Sequence, residues 1–127
     1  MGQVGLSGGW NRVAGSQLAL KVMVLDTNTT IVVGGEMDVS ATDGVLDRLE
    51  AELMRGPSEV VMDLSELAFI DSTGLRALLQ ARDLCERHGA QMSIVEGGGH
   101  VARVFDLTGL GSVLPIVRHV PEAEATS

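Results

Sequence analysis

Apolar and polar residues first settle into a regular pattern at Leu18. Leu18, Leu20, Val22 and Val24 alternate with Ala19, Lys21, Met23 and Leu25, a run of strand length. Asp26 to Thr29 is a polar turn and Ile31-Val32-Val33 is β-branched, so an antiparallel hairpin is expected to open the domain. Ser40 with Asp43 three residues later has the form of a capping box. Val45, Leu46, Leu49 and Leu53 then recur at helical spacing and predict a helix over 42–55. Gly56-Pro57 stops that helix. Val60-Val61-Met62 follows as an apolar run of the kind found in a central strand covered on both faces. Leu75, Leu78, Leu79, Leu84 and Cys85 mark a second helix, with Ser72 or Thr73 as its cap and Gly89 as its stop. Met92 to Val95 reads as a fourth strand, and Val101, Val104 and Phe105 place a third helix between Gly99 and Gly109. Val113 to Val117 is a candidate last strand, with Pro115 arguing either for an edge position or against a strand altogether.

Strands alternating with helices imply an α/β domain: a mixed sheet of four to five strands packed against helices. Glycines at positions 2, 5, 8, 9 and 15 leave residues 1–17 little to bury, so they are expected to form a flexible tail. The domain is expected over 18–118, with an acidic tail over 119–127.

Composition narrows the range of functions. At 127 residues the chain has the size of one domain, and 45% hydrophobic residues suffice for a core. Seventeen Asp and Glu against nine Lys and Arg give a net charge of -8, which repels phosphate backbones and anionic lipid. Neither nucleic acid nor membrane is therefore an expected partner. Trp10, Phe69 and Phe105 are the only aromatics, too few for a base-stacking platform. The lone Cys85 fits a reducing compartment, and no apolar run reaches signal-peptide or membrane-span length near the N-terminus, so the expected location is cytoplasmic.

Catalytic chemistry is hard to assemble from these residues. Gly5-Leu6-Ser7-Gly8-Gly9 matches a nucleophile elbow by letter but follows no strand. His88, His100 and His119 are widely spaced, without the neighbours of a metal site or a triad. Gly97-Gly98-Gly99 has neither dinucleotide-binding nor P-loop spacing and reads as a turn. No cofactor and no metal is expected.

The informative stretch is Asp63-Leu64-Ser65-Glu66-Leu67-Ala68-Phe69-Ile70-Asp71-Ser72-Thr73-Gly74-Leu75, which runs from the central strand into the second helix. A hydroxyl at Ser72 would stand at a helix start, near backbone N–H groups without intrahelical partners and near the positive end of the dipole. Such a place tolerates a phosphate. Gly74 removes a side chain where a partner or kinase backbone could approach. On spacing alone the plainer reading is favoured, with Ser72 only an N-cap and Asp71 only a loop carboxylate. The second helix also has an apolar surface wider than one sheet face covers, with room for a partner or for a second packed element.

Three segments carry a family resemblance. Gly35-Glu36-Met37-Asp38 resembles a G-E-L-D motif, Asp63 to Leu75 resembles a D-x-S-x-x-x-x-x-D-S-S/T-G-L signature, and Phe105-Asp106-Leu107-Thr108-Gly109-Leu110 resembles an F-D-x-S/T-G-L segment. All three belong to the STAS family, and the combination is similar to the bacterial anti-sigma factor antagonists. The resemblance implies a non-enzymatic protein that binds an anti-sigma factor, itself a serine kinase, and so frees a sigma factor. Phosphorylation of one serine switches it off and a serine phosphatase restores it. By the same resemblance that serine is Ser72, with Thr73 where many members have a second serine, and Asp38, Asp71, Gly74 and Leu75 are the surroundings of the acceptor and of the partner surface. Asp38 and Asp71 would raise the electrostatic cost of adding the phosphate. The rival reading is an accessory subunit of a membrane transporter with the same fold, against which the intact Asp71-Ser72-Thr73-Gly74 counts. A phospho-aspartate receiver is disfavoured because the chain lacks an early acidic pair and has Lys21 as its only lysine.

Overall fold

The computed structural model describes residues 9–117. Six strands form one sheet in chain order: β1 (Asn11–Arg12), β2 (Leu18–Leu25), β3 (Asn28–Met37), β4 (Glu59–Ile70), β5 (Gln91–Val95) and β6 (Ile116–Val117). Three helices connect them: α1 (Thr42–Leu53) between β3 and β4, α2 (Ser72–Arg87) between β4 and β5, and α3 (Gly99–Thr108) after β5. β1, β2 and β3 are antiparallel neighbours, whereas β3, β4, β5 and β6 pair in parallel, so the sheet is mixed.

The hairpin is as the pattern predicts, with a tighter turn. Leu25 pairs with Asn28, leaving Asp26-Thr27 as a two-residue loop in which Asp26 takes a positive φ of 55°. Leu18, Leu20, Ile31 and Val33 point into a core shared with Val45, Leu49, Met62, Leu64, Leu78, Ile94 and Phe105. The central strand is covered less evenly than expected. Val60 and Met62 are fully buried, but Val61 faces the other side of the sheet and is only half-buried.

Two boundaries differ from the sequence reading. The sheet has six strands rather than four to five, because β1 lies inside the glycine-rich segment assigned to the tail. Its anchors are side chains that composition underweights. Ser16 is buried, donating its hydroxyl to the Val13 carbonyl and accepting from the Leu18 N–H, while Val13 packs beside Gly44 at the start of α1. Trp10 lies against Gly34 with the Lys21 ammonium 5.1 Å from its ring. Ordered structure thus begins well before Leu18. The acidic tail expected over 119–127 lies outside the described residues. β6 is an edge strand, shorter than the candidate run, with Pro115 just ahead of it and its carbonyl accepting from the Ile94 N–H.

The capping box at Ser40 does not form. Ala41 is the N-cap of α1 without a side-chain bond, because the Ser40 hydroxyl turns back to the Asp38 carboxylate. The wide apolar face of α2 is used inside the fold. Ala77, Leu78, Ala81 and Cys85 are buried, and the half-buried Leu79 and Leu84 pack against the same core, where α2 meets α1 as well as the sheet.

Candidate functional site

The site is built where β3 and β4 end side by side. Met37 and Ile70 are the last paired residues of the two strands, and the Asp71 N–H reaches the Met37 carbonyl at 3.3 Å. The Gly35 to Asp38 and Asp63 to Leu75 segments are therefore brought together. β4 arrives there irregularly. Beyond Val32 and again beyond Gly35 its register with β3 slips by one residue, so β4 carries an extra residue at each bulge. Gly35 permits this: its φ is +96°, and a Cβ there would lie 2.1 Å from the Gln17 carbonyl oxygen.

β5 stops opposite Asp63, and α3 takes its place beside the rest of β4. His100, near the start of α3, brings its Nε2 to 3.2 Å from the Ile70 carbonyl and stacks its ring on Phe69, 5.0 Å between centroids and 9° from parallel. Gly97 allows the chain to cross β4 at this level, since a Cβ would meet the Leu64 carbonyl oxygen at 2.5 Å.

Asp71 is the true cap of α2, in extended conformation, where the sequence pointed to Ser72 or Thr73. Its Oδ1 accepts from the Gly74 N–H at 3.1 Å and from the Thr73 hydroxyl at 2.6 Å. Burial acts to raise its pKa. The hydrogen bonds from the Thr73 side chain and from the backbone of Gly74, Thr73 and Asp71 outweigh burial and hold the carboxyl below its ordinary value. With Asp71 as cap, Ser72 becomes the first helical residue. It is exposed, and its hydroxyl has no hydrogen-bond partner among the described residues. The Thr73 hydroxyl, by contrast, is engaged.

Gly74 and Leu75 turn inward. A Cβ on Gly74 would lie 2.7 Å from both the Met37 carbonyl oxygen and Ile70 Cγ1, so this glycine lets α2 sit down on the ends of β3 and β4. Leu75 is buried in the core. The room that Gly74 was expected to leave for a partner or kinase backbone is taken up inside the fold by Met37 and Ile70. Asp38 is half-buried, and its Oδ1 accepts from the Ser40 N–H at 3.0 Å as well as from the Ser40 hydroxyl. That small turn pushes Val39 into solvent, 73% exposed.

Three residues that sequence reasoning passed over thus surround the acceptor loops: Val39, Phe69 at 38% exposure, and His100. A signal existed for Val39, an apolar residue held between two polar ones just beyond a strand. The arrangement is a surface, not a cleft. A groove of 510 Å³ lies instead between α2 and β5, lined by Arg82, Cys85, Met92 and Leu114. No group of three or more His, Cys, Asp and Glu able to hold a metal occurs among the described residues, and none of their helices is long and apolar enough to cross a membrane.

Residues 19–123 match the STAS domain. The chain belongs to the STAS domain family. The relatives it matches include anti-sigma factor antagonists. One, the anti-sigma F factor antagonist of Paenibacillus polymyxa, is 31% identical over 83 residues, covering 65% of this chain and 71% of the relative. An anti-sigma factor antagonist from Mycobacterium paratuberculosis shares the fold with a TM-score of 0.74 at 23% identity, over 91% of this chain and 97% of that one. The Bacillus cell fate determinant SpoIIAA in its phosphorylated form superposes with a TM-score of 0.63 at 19% identity, over 84% and 96% of the two chains. The STAS architecture accounts for the mixed sheet and its opening antiparallel hairpin.

Proposed function

We propose that this STAS protein is a partner-switching regulator. Unphosphorylated, it binds an anti-sigma factor that is also a serine kinase and so frees a sigma factor; phosphorylation of Ser72 ends the interaction, and a serine phosphatase restores it. The chain is the substrate of this chemistry and performs none itself, and it works in the cytoplasm with its partners. The observation that carries the reading is the contrast at the start of α2. Ser72 offers an exposed, unbonded hydroxyl, while the adjacent Thr73 hydroxyl is donated to Asp71. A kinase meets one free nucleophile and one engaged one.

The partner surface consists of Ser72 with Val39, Phe69 and His100 around it, and Asp38 and Asp71 as fixed negative charges. A phosphate adds about -1.5 to -2 charges at the middle of this surface, on a chain already at -8. Loss of about 3 kcal/mol of binding energy weakens a complex on the order of 100-fold, so a modest electrostatic and desolvation cost is enough to open the switch.

Incubation with the cognate kinase and ATP is expected to add one phosphate to Ser72, read by intact mass and peptide sequencing. Ser72→Ala abolishes the addition while the anti-sigma complex persists; Thr73→Ala leaves it in place; Ser72→Glu keeps the fold and weakens the complex. Full phosphorylation of Ser72→Ala would overturn the assignment.

A further inference from the structure

Most basic side chains of this acidic chain are already engaged. Arg48 and Arg55 share Glu52 at 3.0 and 3.9 Å. Arg82 donates to the Val113 carbonyl and lies 3.6 Å from Asp83, Lys21 covers Trp10, and Arg12 reaches the Ser16 carbonyl. Among the described Lys and Arg side chains, Arg76, Arg87 and Arg103 alone have no ion pair, hydrogen bond or ring contact. Arg76 has a special position. It stands four residues after Ser72 on α2, and both are exposed. Residues four apart on a helix share a face, with Cβ atoms about 5–6 Å apart.

We propose that Arg76 is the intramolecular counter-ion of a phosphate on Ser72, an inference that rests on Ser72 being the acceptor. The guanidinium donates two N–H groups to the phosphate oxygens across one helical turn. The order of charges is the favourable one, anion toward the N-terminus of α2 and cation toward its C-terminus, which agrees with the helix dipole. Neither carboxylate beside the acceptor competes for it: Asp71 is held by Thr73 and Gly74, and Asp38 by Ser40. Before phosphorylation Arg76 is a free cation on the partner surface, suited to a carboxylate of the partner. Phosphorylation adds an anion and at the same time withdraws this cation.

The test needs neither kinase nor partner. The full chain is produced with phosphoserine incorporated at position 72, as the parent and as Arg76→Gln and Arg76→Lys, and the second phosphate pKa is titrated by ³¹P NMR. The helix N-terminus acts equally in all three and cancels in the differences. The parent value is expected below that of Arg76→Gln by about 0.3 unit or more. Arg76→Lys is expected near the parent, and the gap is expected to narrow in 1 M salt, where the Debye length is about 3 Å. Equal pKa values in the parent and Arg76→Gln would overturn the proposal. Failure of a kinase to modify Ser72 would instead overturn the reading beneath it, and the two failures are read in separate experiments.

Discussion

Between Glu59 and Asp63, β4 has β3 on one side and β5 on the other, and its buried residues Val60 and Met62 alternate with half-buried ones. Between Leu64 and Ile70 it has β3 as its only strand neighbour among the described residues, two bulges, and buried residues Leu64, Leu67 and Ile70 spaced three apart. The first half is held by two ladders and serves as scaffold. The second gives up one ladder and its period, and in return brings Phe69 to the surface, offers the Ile70 carbonyl to His100, and delivers the chain to Asp71 at the angle α2 requires. Irregular pairing is found where the functional side chains are set out, and regular pairing where they are supported.

The sharpest way to break this comparison is a matched pair of truncations. Met62→Ala, in the regular half and fully buried, is expected to destabilise the domain by about 2–5 kcal/mol through lost burial and a residual cavity. Phe69→Ala, in the bulged half, is expected to cost under about 1.5 kcal/mol in stability, as lost stacking on His100, while weakening partner binding. Urea denaturation and a binding assay on both variants check it; a Phe69→Ala protein as unstable as Met62→Ala would erase the distinction.

A smaller effect is expected where the bulged half meets α2. Gly74→Ala places a methyl against the Met37 carbonyl and Ile70 and is expected to cost about 1–3 kcal/mol by overpacking, again read by urea denaturation. A neutral result would mean that α2 can lift from the strand ends.

The smallest effect concerns the cap. Asp71→Asn keeps the shape of the cap and removes its charge, at a cost of up to about 1 kcal/mol near neutral pH. The folded pKa of Asp71 lies below its unfolded value of 3.8. Its charge therefore stabilises the fold above that value, and the contribution is lost as the pH falls through the folded pKa. The parent's advantage over Asp71→Asn should thus shrink on acidification below about pH 4, measured by urea denaturation at a series of pH values. An advantage unchanged into strong acid would remove the carboxylate from the account.

These two halves also mark what the sequence discloses. Val60 to Met62 is legible because a regular strand repeats every second residue. Leu64, Leu67 and Ile70 are not, because each bulge inserts a residue and turns a strand period into one resembling neither strand nor helix. Ser72 was found through its motif, yet the cap was misassigned: Ser, Thr and Asp all suit an N-cap, and only the backbone shows which residue stands last before the helix. Gly74 and Leu75 share the motif with Ser72, and their inward direction is fixed by the seating of α2 on Met37 and Ile70. β1 was hidden because glycine content describes a segment on average, whereas Trp10, Val13 and Ser16 anchor it one side chain at a time.

The order of strands in the sheet is the order of strands in the chain. No strand has to be inserted between two that are already paired, and each finds its neighbour in the one made just before it. A chain leaving the ribosome can therefore assemble vectorially, with the β2–β3 hairpin as a template for β4 and β4 for β5. The β2–β3 turn has only two residues, and each later strand lies one helical crossover from its neighbour, which keeps the entropy of closure modest. On such a route the serine-bearing end of β4 and the start of α2 take shape only after β3 is in place, because Asp71 is tied to Met37. The acceptor is thus displayed by a domain already half built, and an unfolded chain presents no such surface.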